Sequence, residues 1–373
     1  MPAAEMRKPR RILALLPGLA GHGGIQQHNR MFCGVVTRWC ASHDAALDVV
    51  SLRDPRGWQD RRYVARAVTG CEDNRYRFAL QSALALARPY DLLIVGVVDF
   101  GVLLTIPRLL CRRAPILTIV HGIEVWKDLT RSERAALTRA TRVMSVSDYT
   151  AREVIERHGV RPERLVTVPI PLDPEFVSEA DSITDPPRPG SVLTVARMNV
   201  IDREKGVETL IRAVAEARPS LPGLRCTIVG DGEDRPRLEQ LSRELGVADA
   251  VRFTGGIDDR ELHTYLAGTE VFALPSRKEG FGIVFLEAMY YGKPVIAGAH
   301  GGSVEVVDDG VTGLHVQYGD VSGLAQALRE LLGDDRRRAE IGAAGRAAVE
   351  QRFAFDRFSQ RVEALLAELL PVS

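Results

Sequence analysis

The sequence predicts an α/β protein built as two doubly wound domains, and three observations carry that reading. Short continuous apolar runs alternate with helical stretches along the whole chain, as in parallel sheets covered by helices on both faces. The alternation breaks at Pro169-Ile-Pro171 and again at Asp185-Pro-Pro-Arg-Pro-Gly190, then restarts. The 373 residues also exceed one ordinary core, and they fit two domains of roughly 150–200 residues each.

In the first half the expected strands are Ile12–Leu16, Asp48–Leu52, Leu92–Gly96, Ile116–Val120, Val143–Val146 and Leu165–Val168. Between them Gln26–Cys40, Arg75–Ala87, Ser132–Thr141 and Tyr149–His158 read as helices. After the break, strands are expected at Val192–Ala196, Cys226–Val229, Val251–Phe253, Val271–Ala273, Val295–Ala297 and Leu314–Val316. Helices fill Gly206–Ala217, Arg235–Leu245, Asp259–Leu266 and Ile283–Tyr291, and a helical tail runs from Val321. The division is a first domain over 1–170, a linker over 171–190, a second domain over 191–352, and a C-terminal helix over 353–373 expected to pack back on the first domain. Two such domains leave a cleft at the carboxyl ends of both sheets, where open α/β sheets bind ligands.

Composition narrows the class. Hydrophobic residues at 45% and charged residues at 26% are those of a globular chain, not a disordered or fibrous one. Five cysteines with no CxxC pair offer neither a zinc site nor a disulfide framework, and they read as free thiols in a reducing cytoplasm. The longest apolar stretch, Leu92–Pro107, is interrupted by Asp99 and falls short of the ~20 residues of a spanning helix. The basic start at Arg7-Lys8-Pro9-Arg10-Arg11 precedes only five apolar residues before Pro17, which suits a buried first strand better than a signal peptide. Cytoplasmic residence is expected.

The formal net charge of zero hides an asymmetry. Up to Ile170 the chain carries 26 Lys/Arg against 16 Asp/Glu, and the remainder carries 23 against 33. A basic first domain suits an anionic membrane surface or a phosphorylated acceptor, and a solvated surface explains it equally well. The candidates for such a surface are Arg61, Arg62 and Arg66, with Arg62 and Arg66 spaced as on a helix, together with Arg108, Arg112 and Arg113. Nothing points to nucleic acid.

The densest chemistry lies in Pro275-Ser-Arg-Lys-Glu-Gly-Phe-Gly-Ile-Val-Phe-Leu-Glu-Ala-Met289. A strand ends in a polar glycine loop and a helix opens near Ile283. Backbone N–H groups at such a helix start can meet an anion or a sugar oxygen. Gly280 and Gly282 remove side chains from the path of a ligand. Glu279 sits in the loop and Glu287 on the helix, so the two carboxylates can address opposite ends of one ligand.

This segment, with Gly292-Lys-Pro-Val, Gly301-Gly302-Ser-Val-Glu305 and Asp309-Gly310-Val-Thr-Gly313, resembles the donor site of retaining GT-B glycosyltransferases of family 4, the glycosyl transferases of group 1. The resemblance spans essentially the whole chain, strongest from Val195 to Asp320 and looser before residue 115. It implies that Glu279 holds hydroxyls of the donor sugar beside the backbone of Phe281, Gly282 and Ile283, while Glu287 holds the ribose of the nucleotide. Carboxylates accepting paired hydroxyl donors suit both rings.

Six further blocks follow from the same resemblance. In Val195-Ala-Arg197-Met-Asn-Val-Ile-Asp-Arg-Glu-Lys205-Gly206, Arg197 and Lys205 are expected on the pyrophosphate, neutralising the leaving group; Arg203 reads as surface charge. Gly230, in Val229-Gly-Asp-Gly232, brings a tight turn to the nucleotide, and Phe253-Thr-Gly255 ends a strand near the base. Gly23 and Gly24, in Gly21-His-Gly23-Gly24, form the loop that approaches the donor phosphate, whereas His22 and His28 read as loop surface. His121, at the end of Ile116–Val120, is expected to face the reacting sugar, with Glu124 nearby, and His121 and Glu279 are the catalytic candidates. Ser147 is read as a helix cap.

The implied activity is hexosyl transfer from a UDP- or GDP-linked sugar, with retention, to a lipid-linked or small-molecule glycoside acceptor in polysaccharide, glycolipid or lipid-linked oligosaccharide synthesis. Family frequency favours a UDP-sugar. No Asp-x-Asp triplet occurs, so no metal and no cofactor is expected, and side-chain cations stand in for one. The implied site of action is the cytoplasm, peripheral on the inner face of the membrane. Two alternatives remain open: a GT-B phosphorylase or sugar-nucleotide epimerase, marked by phosphate-dependent turnover, and a non-catalytic nucleotide-sugar-binding subunit.

Overall fold

The computed structural model describes residues 9–21, 23–105, 114–183 and 185–371. The chain forms two compact units, one made of residues up to Ile170 together with Asp356 onward, the other of Pro171–Phe355.

The first unit runs β1 (Arg10–Leu16), α1 (Gly24–Ser42), β2 (Ala45–Ser51), β3 (Thr69–Gly70), α2 (Arg75–Leu86), β4 (Leu92–Val95), β5 (Ile116–Val120), α3 (Arg131–Thr138), β6 (Arg142–Ser145), α4 (Asp148–His158) and β7 (Leu165–Thr167). Its strands lie parallel in the order β3-β2-β1-β4-β5-β6-β7, with Ile12 level with Leu47 on one side and Leu92 on the other. Ile12 to Leu16 and Leu92 to Val95 are almost wholly buried, which is why their sequences are continuous rather than alternating. Strand order reverses direction between β1 and β4, so the loops leaving these strands flank a topological switch point. Ser147 caps α4 through Thr150 N at 3.2 Å, as expected.

Two expectations fail in this unit. His28 is not loop surface but a wholly buried residue of α1. The segment holding Arg62 and Arg66 forms turns and bends instead of a helix, so their spacing places them on no common helix face. Arg62 lies 2.6 Å from Asp60 and Arg66 lies 3.6 Å from Asp48. Arg108, Arg112, Arg113 and His22 lie outside the described residues.

The second unit opens with α5 (Pro174–Ala180) and continues β8 (Ser191–Val195), α6 (Val207–Ala217), β9 (Arg225–Val229), α7 (Arg235–Glu244), β10 (Val251–Gly255), α8 (Asp259–Gly268), β11 (Val271–Leu274), α9 (Ile283–Tyr290), β12 (Val295–Gly298), α10 (Ser303–Val306), β13 (Gly313–Val316), α11 (Val321–Gly333) and α12 (Asp335–Arg352). The order β10-β9-β8-β11-β12-β13, again parallel, repeats the same reversal, now between β8 and β11.

The stretch expected as linker thus contains a helix. Pro174 is no breaker there, because it sits in the first turn of α5, where its missing N–H has no helical partner to lose, and Asp173 caps it through Glu175 N at 2.9 Å. Phe176 anchors α5 with its ring 4.3 Å from that of His263 on α8. The helical tail is three helices, the last being α13 (Phe355–Leu369). Residues after Asp356 belong to the first unit: Arg10 donates to the Leu370 carbonyl at 2.6 Å, and the Phe358 ring lies 5.8 Å from that of His28.

Candidate donor site

In the second unit the loops leaving β8, β11 and β12 press together at the switch point. The loop after β8 ends in a 3₁₀ turn over Val200–Lys205 and then Gly206, whose φ is +80°. A Cβ on Gly206 would lie 2.4 Å from the Pro275 carbonyl oxygen, so the loop after β11 passes too close for a side chain. Arg277 N donates to the Glu204 carbonyl at 2.8 Å, and the Glu204 carboxylate holds Lys278 at 2.6 Å. On the other flank Gly302 N donates to the Glu279 carbonyl at 2.7 Å, and a Cβ on Gly302 would meet the Gly280 oxygen at 2.1 Å. The backbone around Glu279 is therefore held from both sides.

This arrangement brings two of the expected residues together. Lys205 Nζ donates to Glu279 Oε2 at 2.6 Å, and both side chains are largely shielded from solvent. Arg197 stands on the same loop but is exposed, bonded to Asp202 at 3.2 Å. Phe281 turns its side chain inward, with its ring 5.7 Å from that of Phe353, so its backbone is the part available to a ligand. Gly282 adopts φ +95° and opens α9, an otherwise apolar helix on which Glu287 is the one charged residue and is buried. Gly230 has a local packing reason: a Cβ there would meet the Ala196 carbonyl at 2.1 Å, where the Val229–Gly232 turn lies against the exit of β8. Arg203 is committed to Asp234, which also holds Arg237; the two guanidiniums keep the Asp234 carboxyl down at about 2.

The first unit holds the other expected residues. Gly23 precedes α1 with φ +144°, a conformation strained for any residue with a Cβ, and Gly24 begins the helix. The loop before them is pinned by a residue that sequence reasoning missed. Asp54, 1% exposed, accepts hydrogen bonds from Leu19 N and Ala20 N at 2.8–3.0 Å. Asn29 and Arg30 on α1 hold the same loop through the Gly18, Leu19 and Gly21 carbonyls.

His121 sits just past β5, nearly buried, with Nε2 3.0 Å from the Gly96 carbonyl at the end of β4. Its backbone N–H donates to the Glu124 carboxylate, which orders the turn. The His28 ring meets it edge-on at 5.1 Å between centroids. Burial lowers the pKa of both imidazoles below the ordinary histidine value, most strongly at His28. Each therefore stays neutral near pH 7, His121 bonded to the Gly96 carbonyl and His28 packed as an apolar ring. Among the described residues no cluster of three or more His, Cys, Asp or Glu has the arrangement of a metal site, and no helix is long and apolar enough to cross a membrane.

Two parallel α/β units, each with this reversal of strand order, and a glycine-loop site at the second switch point are the architecture of the GT-B fold. The chain matches the family models described as Glycosyltransferase Family 4 over residues 24–176 and Glycosyl transferases group 1 over residues 181–348. It belongs to that family and is a glycosyltransferase that uses a nucleotide sugar. It is 37% identical over 285 residues, covering 70% of this chain and 72% of the relative, to a GDP-mannose-dependent alpha-(1-6)-phosphatidylinositol monomannoside mannosyltransferase of Mycolicibacterium smegmatis. It is 33% identical over 223 residues to a D-inositol 3-phosphate glycosyltransferase of Stackebrandtia nassauensis, covering 57% of this chain and 50% of that one. The fold matches sucrose-phosphate synthase from Thermosynechococcus elongatus with TM-score 0.79 at 24% identity, covering 98% of this chain and all of that one. It also matches Anabaena HepE in complex with UDP-glucose, with TM-score 0.77 at 22% identity, over 96% and 99% of the two chains.

Proposed function

We propose that this enzyme transfers a mannosyl group from GDP-mannose, with retention at the anomeric carbon, to a hydroxyl of an inositol-containing glycolipid on the cytoplasmic side of the membrane. The observation that carries the proposal is the Lys205–Glu279 pair. The anomeric carbon is bonded to the diphosphate, so a residue that holds the phosphate and one that holds the sugar must lie side by side, as these do at 2.6 Å. The choice of GDP-mannose over the UDP-sugars favoured by family frequency is supported by relatives described as GDP-mannose-dependent, at 37% and 35% identity.

In this reading Lys205 and Arg197 neutralise charge that develops on the departing diphosphate, where preorganised cations lower the barrier. Glu279 fixes the hexose through its hydroxyls, Glu287 takes the ribose, and the neutral His121, whose Nε2–H is given to the Gly96 carbonyl, accepts a hydrogen bond from a sugar hydroxyl at Nδ1. The acceptor hydroxyl attacks from the face that the phosphate leaves, and the phosphate oxygen receives its proton. No covalent sugar–enzyme bond forms.

The test supplies GDP-mannose, UDP-glucose and UDP-N-acetylglucosamine with a phosphatidylinositol monomannoside, with and without excess chelator. Nucleotide release and the product's anomeric configuration are then measured. GDP-mannose turnover that survives chelator and gives an α-linked product supports the proposal. A β-linked product, rescue by Mg²⁺ or Mn²⁺ only, or phosphate-dependent turnover without nucleotide would each replace it.

A further inference from the structure

The His121 ring is tied down by a hydrogen bond from Nε2 to the Gly96 carbonyl at 3.0 Å, and that bond fixes one atom of the ring. A ring held at one atom still tilts about it, because the terminal torsion of a histidine is broad. The direction of Nδ1, the nitrogen left for a sugar hydroxyl, therefore needs a second contact. The His28 ring supplies one. Its centroid lies 5.1 Å from that of His121 with the two planes at 79°, the edge-to-face arrangement that aromatic rings prefer.

His28 is itself boxed in by rings. It is wholly buried on α1, where Phe32, one turn further along the same helix, lies 6.3 Å away between centroids. Phe358 of α13 meets it at 5.8 Å and 74°. Phe32 and Phe358 are fully buried too, so no member of this stack turns into solvent. In an interior packed at crystal density, a displacement at one ring is passed to the next.

The residue type points the same way. Neither nitrogen of His28 has a hydrogen-bond partner among the described residues, and burying unpaired polar atoms costs stability that a leucine of similar volume would not. Filling space alone would favour leucine here. Imidazole is the smallest flat ring that a side chain offers, and flatness is what an edge-on contact requires.

We infer that His28 is a positioning residue for sugar transfer, holding the His121 ring in the plane that turns Nδ1 toward the donor. It acts through His121, and α13 backs it through Phe358. The inference rests on the reading of His121 as a sugar contact given above.

The test compares His28→Leu, which keeps bulk and loses the flat ring, with His28→Phe, which keeps a ring and loses the nitrogens. Turnover of GDP-mannose is measured as kcat and KM, while GDP affinity and the urea midpoint verify the fold. The His121 ring is followed by heteronuclear NMR of histidine-labelled protein, its signals assigned by their loss in His121→Ala. In His28→Leu the expected kcat is lower by roughly two- to tenfold, the worth of one aromatic pair, with KM within about twofold of the parent, as for a contact realised in the transition state. The His121 Nε2–H signal should weaken as its bond to Gly96 loosens. His28→Phe should recover most of the turnover and keep that signal. Parent-like turnover in His28→Leu with an unchanged His121 spectrum overturns the inference. Equal losses in the leucine and phenylalanine variants, or a loss confined to KM, overturn it as well. Full turnover by His121→Ala, by contrast, contradicts the reading of His121 at the sugar, while the His121 spectra of the two His28 variants decide separately whether His28 sets its ring.

Discussion

Lys205 and Glu279, 74 positions apart in sequence, form a 2.6 Å ion pair at the point where strand order reverses in the second unit. The pair exists because Gly206 lets the loop after β8 lie against Pro275, which puts the end of one loop beside the middle of the next. The charges are thus positioned before any ligand arrives.

Lys205→Ala should weaken binding of GDP while leaving guanosine almost untouched. A hydrogen bond to a charged group is worth about 1.5–3 kcal/mol, so the GDP Kd should rise roughly ten- to 150-fold. Calorimetric titration of the two ligands measures the difference. Equal losses for both would remove Lys205 from the phosphate position.

Asp54→Ala should destabilise the first unit. The substitution strips the acceptor from Leu19 N and Ala20 N at a site that is 1% exposed. Each buried donor left unpaired costs about 1–3 kcal/mol, so a total loss of about 2–5 kcal/mol is expected by urea unfolding. A change below ~0.5 kcal/mol would mean that the glycine loop is held by Asn29 and Arg30 instead.

Acid should destabilise the fold partly through His28 and His121. Burial lowers both folded pKa values below the ordinary 6.5, with His121 adding to the effect at His28 and Glu124 opposing it at His121. A depressed histidine contributes stability that is full above pH 6.5 and is lost as pH falls below it, because only the unfolded state takes up the proton there. Each such group contributes a slope of up to ~1.4 kcal/mol per pH unit. His263 acts in the same window, whereas Lys293, lowered from 10.5 to about 8, acts between those two values. Among the described residues neither ring nitrogen of His28 has a hydrogen-bond partner, so His28→Leu should fold and should lose less stability between pH 7.5 and 5.5 than the parent. An unchanged slope in denaturation curves at the two pH values would remove His28 from the acid response.

Much of this architecture was legible in the sequence because buried parallel strands write themselves as continuous apolar runs. Each run, from Ile12–Leu16 to Leu314–Val316, became a strand with ends shifted by a few residues at most. The two-residue β3 (Thr69–Gly70) carries too few side chains to leave a pattern. Helix α5 was hidden by proline density, since Pro174 reads as a break unless its place in the first turn is known. Lys205 and Glu279 stood out because each lies in a glycine-punctuated block after a strand. Asp54 and Glu204 did not, because their partners lie in loops remote in sequence, and only the sheet order makes those loops neighbours. His28 misled for the opposite reason: beside a glycine loop it looks exposed, while its face of α1 points into the core.

The central claim is that Glu279 acts on the donor sugar and not on the nucleotide. It is tested most directly by Glu279→Gln, with GDP-mannose turnover and GDP affinity measured on the same preparation. The account predicts a fall in kcat of ~10²–10³, the cost of losing one preorganised electrostatic contact, with the GDP Kd within about threefold of the parent, under the ~1 kcal/mol typical of one neutral hydrogen bond. Unchanged turnover, or a loss of GDP affinity that matches the loss of turnover, would contradict it.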